Sequence, residues 1–151
     1  MSSNHETTVH ISPALQEFNR IFKEFNTLYR DAALKLGLSN SAFDIFYTIC
    51  ESGDCCTQKE ICDATFIPKQ TVHSAIRNLE NEGLVQLIPG KGRCVNICLT
   101  PQGEEKIHSL MEPVFMLENA TFESMPASDT EKLLELNRQY LKRLREHFSK
   151  L

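Results

Sequence analysis

The sequence lacks the features that mark an enzyme or a membrane protein. Its 151 residues include no tryptophan and only six glycines, and these glycines form no phosphate-binding loop. The chain contains neither a nucleophile elbow nor a carboxylate pair in a catalytic context. No apolar run is long enough for a membrane helix, and the polar start holds no signal core. We therefore expect a cytoplasmic protein that is not an enzyme, uses no cofactor and contacts no membrane.

Cysteine is comparatively plentiful, but its spacing predicts no metal site. The six cysteines do not follow the Cys-x2-Cys spacing of zinc motifs, and His108 and His147 have no partner at ligand spacing. In a cytoplasmic chain we expect reduced thiols rather than disulfides. Cys55 and Cys56 are the candidates for redox sensing, because a loop before a helix N-terminus would lower the pKa of a thiol. The alternative is that all the cysteines simply pack.

The composition is that of one ordinary globular domain. Hydrophobic residues make up 41% of the chain and charged residues 24%, which suffices to bury a core. The net charge of -4 argues against bulk attraction to nucleic acid. Residues 57–100 carry five basic and four acidic side chains, and they are the only third of the chain that is net positive. A localised basic surface is therefore compatible with the acidic chain.

The stretch from Thr57 to about Glu82 predicts two helices separated by a tight turn. Thr57 and Glu60 have the spacing of a capping box. Pro68 suits the first turn of a helix and not its interior, so one helix should end near Thr65 and another begin at Pro68. This arrangement is the bare form of a helix-turn-helix. The second helix should bury the face that carries Val72, Ala75, Ile76 and Leu79.

The opposite face of that second helix is polar and holds no acidic side chain before Glu80. Its hydroxyl, amide, imidazole and guanidinium groups suit both base edges and phosphates. The alternative is an ordinary solvated helix face. We predict major-groove contacts from Lys69, Gln70, Thr71, His73, Ser74 and Arg77, and backbone-phosphate contacts from Gln58 and Lys59.

Residues 84–99 predict a two-stranded hairpin with a basic tip. Two apolar-rich strands, 84–88 and 93–99, flank a turn that contains proline and two glycines. A helix-turn-helix followed directly by such a hairpin is a winged helix. Lys91 and Arg93 at the tip would contact the minor groove or its flanking phosphates.

Long amphipathic helices are predicted on both sides of this unit. Apolar residues recur at helical spacing in residues 12–36 and again in residues 101–148. Ser128 and Glu131 predict a second capping box at the start of the last helix. The first apolar stripe is too broad for a helix alone in water, so it should pack on the last helix, on a second subunit, or on both.

The chain resembles the MarR family of bacterial winged helix-turn-helix regulators. The matching features are the helix end at 81–85, the wing, and the run from Leu99 to Gly103, which has the family's Leu-Thr-x-x-Gly pattern. Arg93 stands where the family carries its wing arginine, whereas Lys91 replaces the usual aspartate. The order of the helices extends the resemblance from about residue 12 to residue 148.

This resemblance implies a mainly α fold with a small β-hairpin wing. A flexible start at 1–11 would precede one compact fold, with a DNA-binding winged helix at 37–100 and dimerisation helices at 12–36 and 101–151. The protein would act as a homodimeric repressor on double-stranded DNA at a pseudo-palindromic operator. The alternative is a winged-helix protein-interaction module without direct DNA readout.

The resemblance also implies release from DNA by a small aromatic or lipophilic effector, or by an oxidant. The effector pocket would lie where the terminal helices meet the winged helix. The same aromatic residues equally suit a plain core. The candidate pocket residues are Phe22, Phe25, Tyr29, Phe43, Phe46 and Phe115.

Overall fold

The computed structural model describes residues 9–151, so the predicted flexible start lies mostly outside the described residues. Within this range helices dominate, and one small sheet is built from strands on both sides of the helix-turn-helix. The predicted mainly α winged-helix fold is confirmed. The elements in chain order are α1 (Pro13–Lys35), α2 (Asn40–Glu51), β1 (Cys55–Thr57), α3 (Gln58–Thr65), α4 (Lys69–Asn81), β2 (Val85–Pro89), β3 (Val95–Leu99), α5 (Pro101–Glu123) and α6 (Ala127–Phe148).

Polar side chains cap the starts of α1 and α3. The Ser12 hydroxyl accepts a hydrogen bond from the Leu15 amide at 3.2 Å and begins α1. Thr57 and Glu60 form the predicted capping box at the start of α3. The Glu60 amide donates to the Thr57 hydroxyl at 3.2 Å, and the Thr57 amide donates back to the Glu60 carboxylate at 2.6 Å. These exchanges satisfy amide groups that a helix start leaves without partners.

The second predicted capping box, Ser128 with Glu131, is wrong. α6 begins at Ala127, Pro126 occupies its N-cap position, and no side chain caps it. Proline fixes its own φ near the value that helix entry needs. The helix therefore starts before Ser128 could act as a cap, and Ser128 lies inside the first turn.

The wing belongs to a three-stranded antiparallel sheet in the order β1–β3–β2. β2 and β3 pair from Val85 with Leu99 to Pro89 with Val95, as the hairpin prediction requires. The predicted hairpin omits β1, and the expectation of a loop through Cys56 is wrong. A strand of three residues is too short to show an alternating pattern, and its partner strand is distant in sequence.

The hydrophobic core lies between α2, α4, the sheet and the first half of α5. The predicted inner face of α4 is confirmed, with Val72, Ile76 and Leu79 buried and Ala75 partly buried. These residues belong to one buried cluster with Ile49 of α2. Burying a side chain of this size contributes about 1.5–3 kcal/mol, so the core holds α4 firmly in place.

The start of α5 joins the end of α4 to the wing. The Thr100 amide donates to the Leu84 carbonyl at 3.0 Å, and the Thr100 hydroxyl donates to the Gly83 carbonyl at 2.5 Å. The Gly103 amide donates to the same hydroxyl at 3.0 Å. A Cβ atom at Gly103 would lie 1.8 Å from the Leu84 carbonyl oxygen. Glycine is therefore required at this position if the wing is to keep its place beside α4.

Helices α1 and α6 carry apolar faces that the described part of the chain leaves uncovered. The Phe18 ring lies 4.6 Å from the Tyr140 ring between centroids, so α1 contacts α6 there. None of the 22 residues of α6 is buried. None of the helices within residues 9–151 combines the length and apolar character needed to cross a membrane. The exposed apolar side chains include Ile21, Phe22, Phe25, Leu28, Leu133, Leu134, Leu136, Tyr140 and Leu141.

Candidate nucleic-acid interface

The polar face of α4 is exposed along the length of the helix. Because Val72, Ile76 and Leu79 anchor the opposite face in the core, these polar side chains project into solvent. The structure therefore brings the predicted major-groove residues together on one helix surface. All of them are exposed, namely Lys69, Gln70, Thr71, His73, Ser74 and Arg77.

This face is not uniform. Thr71 and Ser74 also border a groove between α4 and α2, which places them at one edge of the surface. Two exposed amides, Asn78 and Asn81, extend the surface towards the end of the helix and are absent from the prediction. They lie four residues after Ser74 and Arg77, so helical spacing alone is sufficient to include them.

The basic side chains of this surface differ in whether an acidic side chain pairs with them. Within residues 9–151, Lys69 and Arg77 take part in no ion pair. Lys59 pairs with Asp63 one turn further along α3, and the hydrogen bond from this pair raises the pKa of Lys59. Gln58 donates to the Lys69 carbonyl at 3.4 Å and so links α3 to the start of α4. Lys59 would have to leave Asp63 in order to bind a phosphate.

The wing tip presents both of its predicted cations to solvent. Lys91 and Arg93 are exposed on the turn between β2 and β3, and neither forms an ion pair within the described residues. The Gly90 amide donates to the Cys94 carbonyl at 2.8 Å and closes the turn. Gly92 has a φ of 65°, a conformation that glycine adopts without strain. The tip is therefore a small closed loop that carries two free positive charges.

The root of the wing holds a disulfide, which corrects the expectation of reduced thiols throughout. Cys55 on β1 faces Cys98 on β3 in register, their Cα atoms are 4.2 Å apart, and their sulfur atoms are bonded. Cys56 is buried and free. Burial, followed by the charge of Glu60, raises the pKa of the Cys56 thiol to about 11. The lowered pKa expected for a thiol before a helix is therefore wrong for Cys56.

A second cluster of polar side chains lies between the end of α2 and α5. The Asp54 carboxylate and the His108 ring are 2.8 Å apart, and Cys50 lies beside both. Burial, followed by the charge of Asp54, raises the pKa of the Cys50 thiol to about 11. The cluster borders an open cleft of about 720 Å³. Sequence spacing gives no signal for it, because Asp54 and His108 are 54 residues apart.

The predicted effector-pocket residues occupy different surroundings in the single chain. Phe43 and Phe46 are buried, whereas 58% of Phe22 and 52% of Phe25 are exposed. Tyr29 lines a cavity of about 290 Å³. Phe115 lies instead beside the larger cleft against α5. Residues 9–151 of one chain therefore bring these six side chains to separate places rather than to one pocket.

Two tyrosines meet the carboxylate of Glu118 where α1, α2 and α5 converge. The Tyr29 hydroxyl donates to one oxygen of Glu118, and the Tyr47 hydroxyl donates to the other at 2.9 Å. Desolvation, followed by the hydrogen bond to Glu118, raises the pKa of Tyr29 to about 12. The same causes raise the pKa of Tyr47. This junction joins a terminal helix to the winged helix, and sequence reasoning does not identify it.

Comparison with known proteins finds the same fold in solved MarR family regulators. A MarR family model matches residues 36–93, which run from the end of α1 to the wing tip. No curated protein matches the chain significantly. The solved structure of NMB1585, a MarR family regulator from Neisseria meningitidis, is similar with a TM-score of 0.77 and 20% sequence identity. That match covers 92% of this chain and 99% of the other.

Two further solved structures share the fold. NadR, solved in complex with 4-hydroxyphenylacetate, matches with a TM-score of 0.66 and 18% identity over 89% of this chain and 96% of its own. The transcriptional regulator BldR from Sulfolobus solfataricus matches with a TM-score of 0.63 and 24% identity over 90% of this chain and 99% of its own. These identities show a shared fold. The resemblance predicted from the sequence is confirmed, because a MarR family model matches residues 36–93 and the similar solved structures include MarR family regulators.

Proposed function

We propose that the chain is a cytoplasmic transcriptional repressor that binds double-stranded DNA as a homodimer. The observation that carries this proposal is the exposed polar face of α4 in the same winged helix as the exposed cations of the wing tip. Within residues 9–151, Lys69 and Arg77 on α4 and the two wing-tip cations form no ion pair. A net charge of -4 would repel DNA in general, so a localised basic surface favours one binding orientation.

The side chains of α4 suit direct readout of bases. Arg77 can donate two hydrogen bonds to a guanine, and Gln70 can pair with an adenine edge in the major groove. Lys69 at the helix start and the wing residues Lys91 and Arg93 would neutralise phosphates or enter the minor groove. A good bidentate contact discriminates against a wrong base by about 1–3 kcal/mol. Thr71, His73 and Ser74 would adjust sequence preference, and Gln58 and Lys59 would contact the backbone.

The uncovered apolar faces of α1 and α6 support the homodimer. A helix of 22 residues without a buried side chain gains little from its own chain. A second copy related by a twofold axis would cover both faces at once. The two α4 helices would then enter successive major grooves about 34 Å apart, and the operator would be pseudo-palindromic.

A small effector in the region of Tyr29 and Tyr47 would release the repressor. Binding there would shift the spacing of the two DNA-reading units. The size of that shift depends on how much more tightly the effector binds the released conformation than the DNA-bound conformation. NadR is similar in fold and was solved with an aromatic acid. The described residues that line the Tyr29 cavity include Asp44 and Glu51 but no basic side chain. The effector of this chain is therefore a neutral or cationic aromatic or lipophilic molecule rather than an anion.

The disulfide between Cys55 and Cys98 supports an oxidant as the second route of release. Two thiols at the wing root would lose two electrons and two protons to a peroxide-class oxidant and form this bond. The bond would join β1 to β3 beneath the wing and change how the tip meets DNA. We expect the reduced protein to bind DNA more tightly than the oxidised protein.

The experiment that tests the function uses DNA selected by the protein from a random pool. Binding is measured at two salt concentrations, with and without reductant. Phosphate contacts predict a steep loss of affinity as salt rises, whereas an apolar protein-interaction surface predicts no DNA binding. Arg77→Ala should weaken binding by about 1–3 kcal/mol. Lys142→Ala, which removes an exposed cation on α6, is the matched control and should bind like the unchanged protein.

A further inference from the structure

Three different metal-ligating side chains meet at the cleft between α2 and α5. Cys50 comes from the last turn of α2, Asp54 from the loop that follows, and His108 from α5. Their sulfur, oxygen and nitrogen ligand atoms all lie within 4.8 Å of one another. Among the described residues, no other set of three or more histidine, cysteine or acidic side chains has its ligand atoms close enough together to hold a metal ion.

The backbone holds Asp54 in place for this role. Its φ of 67° is a left-handed conformation, which aspartate tolerates better than most residues. The Asp54 amide donates to the Ile49 carbonyl at 3.0 Å, and the Asp54 carbonyl accepts from the Leu99 amide at 2.9 Å. The carboxylate is therefore carried by a backbone that is tied both to α2 and to β3.

His108 is held from a separate helix. Its neighbours on α5, Ile107 and Met111, are completely buried, so the core fixes this part of the helix. The side chain of His108 itself is 45% exposed and lines the cleft. A ligand group carried by a rigid helix is placed more precisely than one carried by a loop.

The charge of the cleft favours a cation over an anion. Glu51 and Glu112 line it together with Asp54. Among the described residues that line the cleft, His108 is the one side chain that can carry a positive charge. An organic acid would meet several carboxylates here, whereas a divalent ion would be attracted by them.

We propose that Cys50, Asp54 and His108 bind a divalent transition-metal ion of the zinc type. Thiolate and imidazole ligands select such ions over magnesium and calcium, which prefer oxygen alone. On binding, the Cys50 thiol releases its proton to solvent, and the contact between Asp54 and His108 gives way to two metal bonds. Tetrahedral bonds place neighbouring ligand atoms about 3.5 Å apart, so modest side-chain rotation closes the site. Glu112, one turn after His108, or a water molecule fills the fourth position.

Titration with Co²⁺ alone tests this site without DNA. The full chain should bind about one equivalent per chain, with the thiolate-to-cobalt absorption in the near ultraviolet, and Zn²⁺ should displace the cobalt. Cys50→Ser should abolish the thiolate band. Asp54→Asn keeps a residue that tolerates the left-handed backbone conformation. Asp54→Asn and His108→Gln, made as separate variants, should each weaken Co²⁺ binding by at least about tenfold. Because no readout involves DNA, failure of this proposal is distinct from failure of the repressor function.

Matched controls separate this site from binding by other cysteines and histidines. Cys94→Ser removes an exposed free thiol outside the cleft, and His147→Gln removes an exposed imidazole on α6. Both should bind Co²⁺ like the unchanged protein. Zn²⁺ should raise the melting temperature of the unchanged protein but not that of His108→Gln. The proposal is overturned if Co²⁺ does not bind at micromolar concentrations, or if Asp54→Asn and His108→Gln bind it with unchanged affinity.

Discussion

Replacing Gly103 with alanine should destabilise the junction of α4, the wing and α5. The added Cβ would lie 1.8 Å from the Leu84 carbonyl oxygen and 2.8 Å from the Leu84 carbonyl carbon. Both atoms belong to the backbone, so no flexible side chain can move aside. Ordinary contact would require a relative shift of about 1.5 Å. Such a shift would stretch the hydrogen bond from Thr100 to Leu84, now 3.0 Å long.

The size of the effect follows from two destabilising contributions and one stabilising contribution. Overpacking a close contact costs about 1–3 kcal/mol, and weakening a buried backbone hydrogen bond adds about 1 kcal/mol. Alanine in place of glycine within a helix stabilises the folded state by about 0.5–1 kcal/mol, which offsets part of this cost. The free energy of unfolding should therefore fall by about 1–3.5 kcal/mol, and the melting temperature by roughly 2–14 °C.

The assay is urea unfolding followed by circular dichroism at a fixed protein concentration. Glu105→Ala, an exposed site on the same helix, is the control and should change the free energy of unfolding by less than about 0.5 kcal/mol. Gly103→Ala should also weaken DNA binding, because the wing would shift relative to α4. A Gly103→Ala protein as stable as the unchanged chain, or more stable, would refute this reasoning, because helix propensity would then outweigh the contact.

Three other changes probe separate parts of the structure. Thr57→Ala removes the capping hydroxyl of α3 and should lower the free energy of unfolding by about 1 kcal/mol in urea denaturation. Phe66 is 93% exposed with a φ of 56°, so Phe66→Asn should raise the free energy of unfolding by up to about 1 kcal/mol rather than lower it. Folding raises the pKa of Tyr29 to about 12. The contribution of Tyr29 to the free energy of unfolding is therefore complete below about pH 10 and is lost as the pH rises towards 12. Glu118→Gln should lower that pKa, as measured from phenolate absorbance, and an unchanged titration would remove the role assigned to Glu118.

The parts of the fold that could be predicted from sequence depend on local chemistry. Thr57 with Glu60 signals a helix start within four residues, and the spacing of Val72, Ile76 and Leu79 signals a buried helix face. The exposed face of α4 follows at once from the buried one. A local pattern failed at Ser128, because the preceding Pro126 already takes the cap position.

The features that could not be predicted join distant parts of the chain. β1 is too short to show a period, and its pairing with β3 decides that Cys55 meets Cys98. Asp54 meets His108 only because α5 returns across the end of α2. No spacing rule along one sequence encodes contacts of this kind, because they depend on how whole elements pack.

The central claim is that two copies of the α4 and wing unit read DNA together. The most direct test is a hydroxyl-radical footprint of the full chain on its selected DNA site. We predict two equal protected regions related by a dyad, with centres about 34 Å apart along the helix axis. A single protected region without dyad symmetry would contradict the dimeric reading, and no protection at low salt would contradict DNA recognition itself.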